Sequence, residues 1–196
     1  MFKKRVLLPF LFLIGCGGCN PTTVETSEEP SPITWEECGY EIGEHPCDFT
    51  LEDQNGDDWN LYSNYGSIII LDFSTEWCAY CQVAASEANT FTAMYEDDDV
   101  LYITIMIEDR YGTSPPPEDM IDYWVQYFGL TEAVLRGDRN MLDASGENGW
   151  PIQAWPTFFI IDREMKLHKK IQGYSSSALM LEIDNMLVEE TTQDQQ

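Results

Sequence analysis

Two cysteines separated by two residues lie where a buried strand is expected to turn into a helix. Residues 68–73 are apolar except for Asp72, which predicts a buried strand. Residues 82–95 carry apolar side chains at helical spacing. Cys78 and Cys81 therefore fall at a helix N-terminus, where unpaired backbone N–H groups and the helix dipole stabilise a thiolate. A dithiol in this setting is typical of a redox site.

Two other uses of the cysteine pair compete with redox chemistry. Half of a zinc site would need two more ligands at tetrahedral spacing. Cys16 and Cys19 also have this spacing but belong to the expected anchor segment. The other candidates are Cys38, His45, Cys47 and His168, and none of them forms a second ligand-spaced pair. A purely structural disulfide is disfavoured because it would close too small a loop to restrict the unfolded chain. The redox interpretation is favoured, and no metal site is expected.

The first fifteen residues predict an export signal. Residues 3–5 are basic and precede an apolar run, 6–14, that is too short for a permanent membrane span. The run ends in Leu13-Ile14-Gly15-Cys16, which resembles the lipobox of bacterial lipoprotein signal peptides. The resemblance implies cleavage before Cys16 and lipidation of its thiol, and an ordinary secretory signal is the alternative. Export by either route permits disulfides.

Acidic residues dominate the charge of the chain. There are 35 Asp and Glu against 10 Lys and Arg, a formal net charge of −25. Nucleic-acid binding is disfavoured because phosphates require neutralising cations. Adsorption to anionic lipid is disfavoured for the same reason, so a lipid anchor alone would hold the protein at a membrane.

The chain divides into an anchor, a tether and a domain. Residues 16–34 are rich in Pro, Thr, Ser and Glu and predict a lipidated flexible tether, in which Cys19 has no assigned role. A single domain is expected over residues 35–190, and a disordered tail over 191–196.

Cys38 and Cys47 lie at the start of this domain. We predict a structural disulfide between them that pins the N-terminal segment to the domain. A relay pair that passes electrons to Cys78 and Cys81 is the alternative.

Strands and helices alternate along the domain. An Asn-Gly turn within 53–57 predicts a β-hairpin. The further strands are expected at 68–74, 100–107, 157–161 and 167–171, and the helices at 79–95, 118–128 and 175–188. Residues 131–153 show no clear pattern. The alternation indicates a central sheet with helices on both faces.

These motifs together resemble the thioredoxin-like redoxins of the membrane-tethered, TlpA-like branch. Leu71-Asp72-Phe73 and Glu76-Trp77-Cys78-x-x-Cys81 are similar to that family's active-site strand and turn, and Trp155-Pro156-Thr157 is similar to its cis-proline loop. The helix at 118–128 resembles the insert of this branch. The resemblance covers about residues 47–188. It implies an α/β, three-layer thioredoxin-like fold with a central mixed sheet flanked by helices and an N-terminal hairpin.

The resemblance also implies roles for individual residues. Cys78 is the attacking nucleophile, Cys81 is the resolving cysteine, and Asp72 is the buried acid that handles the proton of Cys81. Cys78 is expected to be exposed and Cys81 to be buried. The residues expected to bind substrate are Trp77, Trp155, cis-Pro156 and Thr157. No cofactor is expected beyond the Cys78–Cys81 disulfide itself.

The chain departs from the family pattern in several places. Ala84 replaces a glutamate found in many relatives, and Ser86 replaces a helix-kinking proline. Ala79-Tyr80, between the cysteines, lacks the histidine typical of strongly oxidising relatives. With Asp72 present and that histidine absent, the reducing direction is favoured over a disulfide oxidase or isomerase.

The resulting hypothesis is a lipid-anchored, extracytoplasmic thiol–disulfide oxidoreductase on the periplasmic side of the inner or outer membrane. Its expected partners are disulfides of exported proteins and a membrane thiol electron donor. A thiol peroxidase is an alternative, because Thr75 lies three residues before Cys78, although Leu71 stands where that family has proline. A copper-binding module is another, because thiolates bind Cu(I).

Overall fold

The computed structural model describes residues 32–193. The predicted signal peptide, most of the predicted tether, Cys16, Cys19 and residues 194–196 lie outside the described residues. Within the described range, no helix is both long enough and apolar enough to cross a membrane.

Over residues 32–193 the chain forms seven strands and three helices. They are β1 Thr50–Glu52, β2 Asp58–Asn60, β3 Ile68–Ser74, α1 Ala79–Met94, β4 Val100–Met106, α2 Glu118–Phe128, β5 Val134–Arg136, β6 Thr157–Ile161, β7 Leu167–Gln172 and α3 Ser176–Gln193. The hairpin β1–β2 is antiparallel and stands apart from a five-stranded sheet of order β5-β4-β3-β6-β7. Neighbours β3, β4 and β5 are parallel, and β6 and β7 join antiparallel. The predicted mixed sheet and hairpin are confirmed.

Strand β3 lies at the centre of the sheet, and all seven of its residues are buried. Ile68 and Ile70 pack with the buried residues of α1, α2 and α3. Ile69, Leu71 and Phe73 point to the other face and pack in a second cluster. Burial on both faces explains why the strand is a continuous apolar run.

The two faces of the sheet are covered differently from the prediction. In the described part of the chain, the buried residues of all three helices pack on one face. The opposite face is covered by the N-terminal segment, the hairpin and an irregular loop, through Leu61, Trp150 and Ile152 among others. The reason lies in residues 131–153, which form no helix. They supply β5, a short 3-10 turn at Arg139–Met141, and the loop whose Trp150 fills this face.

Strand β5 has no counterpart among the predicted elements. Its three residues extend the sheet beyond β4, with pairing from Thr104↔Val134 to Met106↔Arg136. The hairpin turn covers its outer edge. The Gln54 side-chain amide accepts a hydrogen bond from the Val134 N–H at 2.8 Å and donates to the Glu132 carbonyl at 3.2 Å.

A Cys38–Cys47 disulfide closes a segment that covers the first residue of β7. Strand β7 lies at the edge of the sheet opposite β5. The Gly43 N–H donates to the Leu167 carbonyl at 2.7 Å, and the Leu167 N–H donates to the Glu44 carbonyl at 2.8 Å. The disulfide therefore holds a stretch of chain that pairs with an outer strand.

We expect the Cys38–Cys47 bridge to be structural. Replacing both cysteines by Ser should lower the free energy of unfolding by about 2–3 kcal/mol, because the unfolded chain regains the entropy of a short closed loop. Urea unfolding checks this, and mass spectrometry after mild reduction should find the bridge closed when Cys78 and Cys81 are already thiols. A bridge that opens together with Cys78–Cys81 would favour the relay interpretation instead.

Candidate active site

Cys78 is the N-cap residue of α1. Its backbone is extended, and its sulfur accepts a hydrogen bond from the Cys81 N–H at 3.2 Å. Both cysteines are free thiols in this structure. The sulfur therefore lies at the end of α1 where backbone N–H groups are unpaired and the helix dipole is positive.

The expectation that Cys78 is exposed is wrong. Cys78 is only 6 % exposed, and it packs in the hydrophobic cluster beneath the three helices. The physical reason is the cap itself, because bonding to the Cys81 N–H turns the sulfur back over the first turn of the helix. Cys81 is fully buried, as expected. Cys78 is therefore less accessible to a substrate disulfide than expected.

Asp72 lies buried on the same face of β3 as the helices. It accepts hydrogen bonds from the Ser74 hydroxyl at 2.7 Å and from the Tyr102 hydroxyl at 2.9 Å. Burial raises the pKa of Asp72 to about 7, against the opposing effect of these two hydrogen bonds. The carboxyl therefore changes charge near neutral pH.

Asp72 and Cys81 interact electrostatically. Burial raises the pKa of the Cys81 thiol, and the charge on Asp72 raises it further. A thiol in this position keeps its proton unless a nearby base removes it. Asp72, with its pKa near 7, is the group within electrostatic reach that can do so.

Ser74 and Tyr102 were not predicted as partners of Asp72. Ser74 could have been found, because residues two apart on a strand share a face. Tyr102 could not, because its approach depends on the register of β4 against β3, in which Ile70 pairs with Tyr102 and Asp72 with Thr104.

Trp77 is held by a buried carboxylate. Its Nε1–H donates to Glu108 Oε1 at 2.8 Å, and Glu108 in turn accepts from Arg139 Nε at 2.6 Å. On the other side, Glu76 is buried and accepts from Arg110 Nε at 2.7 Å. Each buried carboxylate thus has an arginine partner, without which its burial would be costly. The sequence offered no signal for these ion pairs, whose members lie more than 30 residues apart.

The predicted cis-proline loop lies beside the cysteine turn. The Trp155–Pro156 peptide bond is cis. Because β6 pairs with β3 at Phe73↔Thr157, this loop meets the end of β3 that leads into Cys78. The Thr157 side chain is buried and donates to the Ala154 carbonyl at 2.7 Å, so it supports the loop and does not face substrate.

Among residues 32–193, no group of three or more His, Cys, Asp or Glu side chains is arranged to hold a metal ion.

Comparison with known proteins identifies the family. Residues 42–170 match the model of the AhpC/TSA family. The chain belongs to the AhpC/TSA family. A thiol-disulfide oxidoreductase ResA from Geobacillus thermodenitrificans is 24 % identical over 140 residues, which span 70 % of this chain and 73 % of that protein. The sporulation thiol-disulfide oxidoreductase A of Bacillus subtilis is 22 % identical over 171 residues, 86 % of this chain and 90 % of that protein.

A solved structure shows the same fold. The putative thiol:disulfide interchange protein DsbE from Chlorobium tepidum superposes with a TM-score of 0.60 at 21 % identity, covering 76 % of this chain and 99 % of that one. The predicted thioredoxin-like fold, the resemblance to TlpA-like redoxins and the enzyme class are confirmed by these matches.

Proposed function

We propose that the protein reduces disulfide bonds of exported proteins through Cys78 and Cys81. The observation that carries this proposal is the Cys78 sulfur at the cap of α1, with the buried Cys81 one turn behind it. The names of the relatives, which are thiol-disulfide oxidoreductases, support the reaction class.

The reaction takes place as two exchanges. The Cys78 thiolate attacks one sulfur of the substrate disulfide, forms a mixed disulfide and releases the other substrate sulfur as a thiolate. The Cys81 thiolate then attacks Cys78 and releases the second substrate sulfur. Two electrons and two protons pass to the substrate, and Cys78–Cys81 becomes a disulfide.

Asp72 serves the second exchange. Cys81 must lose its proton before it attacks, and burial keeps that proton in place. A carboxylate whose pKa is about 7 can accept it near neutral pH and later return it to a leaving thiolate.

The same environment supports the reducing direction. Burial and the nearby carboxyl disfavour a thiolate at Cys81, so this thiol adds no thiolate stabilisation to the reduced form. A membrane thiol donor would return Cys78–Cys81 to the dithiol after each cycle. We place the protein outside the cytoplasm, anchored by a lipid on Cys16 at the periplasmic side of the inner or outer membrane, because residues 13–16 match a lipobox.

The reduction potential tests this direction. Equilibration of Cys78–Cys81 with glutathione buffers should give a value more negative than about −200 mV, in the range of reducing thioredoxins. A potential near −120 mV, as in strong oxidants, would reverse the assigned direction.

A thiol peroxidase is the second candidate. The Thr75 hydroxyl, in a Thr-x-x-Cys sequence ending at Cys78, is buried and has no hydrogen-bond partner among the described residues. Rates of Cys78 oxidation by hydrogen peroxide and by a peptide disulfide rank the two functions directly.

A further inference from the structure

An open groove of about 240 Å³ lies beside the dithiol, between the cysteine turn and α2. Trp77, the residue before Cys78, forms one wall, and Tyr123, Trp124 and Tyr127 of α2 form the other. Since Trp77 adjoins Cys78 in the chain, an occupant of the groove would lie next to the cysteine turn.

Several aromatic side chains that line this groove are exposed to solvent. Trp77 is 51 % exposed and Tyr127 is 66 % exposed, and the rings of Tyr123 and Tyr127 stack with centroids 5.5 Å apart. Exposed Trp and Tyr side chains grouped in this way are typical of the energetically dominant part of a protein interface.

The charged residues in and beside the groove indicate which side chains a bound peptide would carry. Glu76 and Arg110 line the groove and neutralise one another, so its interior favours an uncharged side chain. An adjoining depression shares these two residues and is also lined by Asp109 and Asp119. An apolar side chain followed by a basic one matches this pattern.

We propose that the groove binds the segment of the substrate polypeptide next to its reacting cysteine, and that it takes one aromatic or long aliphatic side chain between Trp77 and Tyr127. The inference rests on the proposed reductase function and adds a sequence preference to it. The groove volume, 240 Å³, exceeds the roughly 150 Å³ that suffices for a benzene ring. A basic residue beside that side chain would meet Asp119, which is exposed.

The test uses disulfide-linked peptides that carry a single Phe at successive positions on either side of the cysteine, with a Lys beside it. A matched peptide has Gly in place of Phe. Each rate of reduction by the full chain is divided by the rate with 2-hydroxyethyl disulfide, which is too small to fill the groove. We expect Phe at one position to increase the relative rate by about tenfold.

Variants assign this preference to the groove. Tyr123→Ala and Tyr127→Ala should each reduce the preference for Phe, and the double variant should abolish it. Leu181→Ala is the matched control, because Leu181 is an apolar side chain on α3 that is 59 % exposed and does not line the groove. It should keep both the preference and the rate with 2-hydroxyethyl disulfide.

Two failures are distinguishable. If the wild-type protein reduces 2-hydroxyethyl disulfide but shows no preference for Phe, or if the double variant keeps that preference, the groove is not the binding site and the reductase function stands. If the wild-type protein reduces neither the peptides nor 2-hydroxyethyl disulfide, the proposed function itself is wrong.

Discussion

Cys81→Ser is expected to accumulate mixed disulfides between Cys78 and exported proteins, while Cys78→Ser accumulates none through this site. The substitution leaves the nucleophile at the cap of α1 but removes the thiol that resolves the mixed disulfide. Turnover of a peptide disulfide should fall by roughly a thousandfold or more in either variant, because each removes a group that forms a covalent bond during the cycle. Non-reducing electrophoresis followed by mass spectrometry identifies the trapped species.

The double variant Cys78→Ser/Cys81→Ser is the control for adventitious exchange. Any adducts it forms must come from cysteines outside this pair. Equal trapping by Cys78→Ser and Cys81→Ser would contradict an ordered reaction in which Cys78 attacks first. Trapping by Cys78→Ser alone would exchange the two roles.

Asp72→Asn should remove a pH-dependent loss of stability. Burial raises the pKa of Asp72 from 3.8 to about 7 in the folded state. Well below pH 4 the carboxyl is protonated in both states and does not affect stability. Between about pH 4 and 7 the unfolded chain has released this proton while the folded protein still holds it, so stability falls as the pH rises, and the loss levels off above pH 7. The free energy of unfolding of the variant minus that of wild type should be larger at pH 8 than at pH 4, by up to about 4 kcal/mol.

Urea unfolding of both proteins across this pH range measures the effect. The difference between the two isolates Asp72 from the many other acids of the chain. Tyr102→Phe is the matched variant, because it keeps the carboxyl and removes one hydrogen bond that lowers its pKa. Tyr102→Phe should raise the pKa of Asp72 further, so the loss of stability should continue to a higher pH before it levels off. A stability difference between wild type and Asp72→Asn that does not change with pH would show that Asp72 does not titrate near neutrality.

The same substitution should slow turnover near neutral pH. Without a carboxylate to accept its proton, Cys81 resolves the mixed disulfide slowly, and the loss should be largest where solvent hydroxide is scarce. A pH–rate profile identical to that of wild type would reduce Asp72 to a packing residue.

Local sequence patterns predicted the parts of the site that depend on neighbouring residues. The strand, the cysteine turn and the helix follow one another within 68–95, so their order could be derived from hydrophobic periodicity alone. Helix α1 ends at Met94 and α3 extends to Gln193, five residues beyond the predicted end. Strand β5 was not predicted, because three residues are too few to show the alternation of apolar and polar side chains that marks a strand.

Contacts between distant residues could not be derived in this way. Glu108 holds Trp77 only because β4 runs parallel to β3 and ends beside the cysteine turn. Arg139, which follows β5 in the chain, donates to the same Glu108. The burial of Cys78 was missed for a related reason, since the direction of its sulfur depends on the cap hydrogen bond and on the packing around it.

The two outer strands of the sheet, β5 and β7, are partly covered by other segments of the chain. An open strand edge is a template for intermolecular β-pairing, which is the route to aggregation. Here Gln54 occupies the edge of β5, Gly43 and Glu44 pair with the start of β7, and the next residues of β7 are lysine-rich. Lysines on an edge strand discourage such pairing. The proposed reductase would therefore offer partly folded substrates its dithiol while leaving little of its sheet edge open to β-pairing.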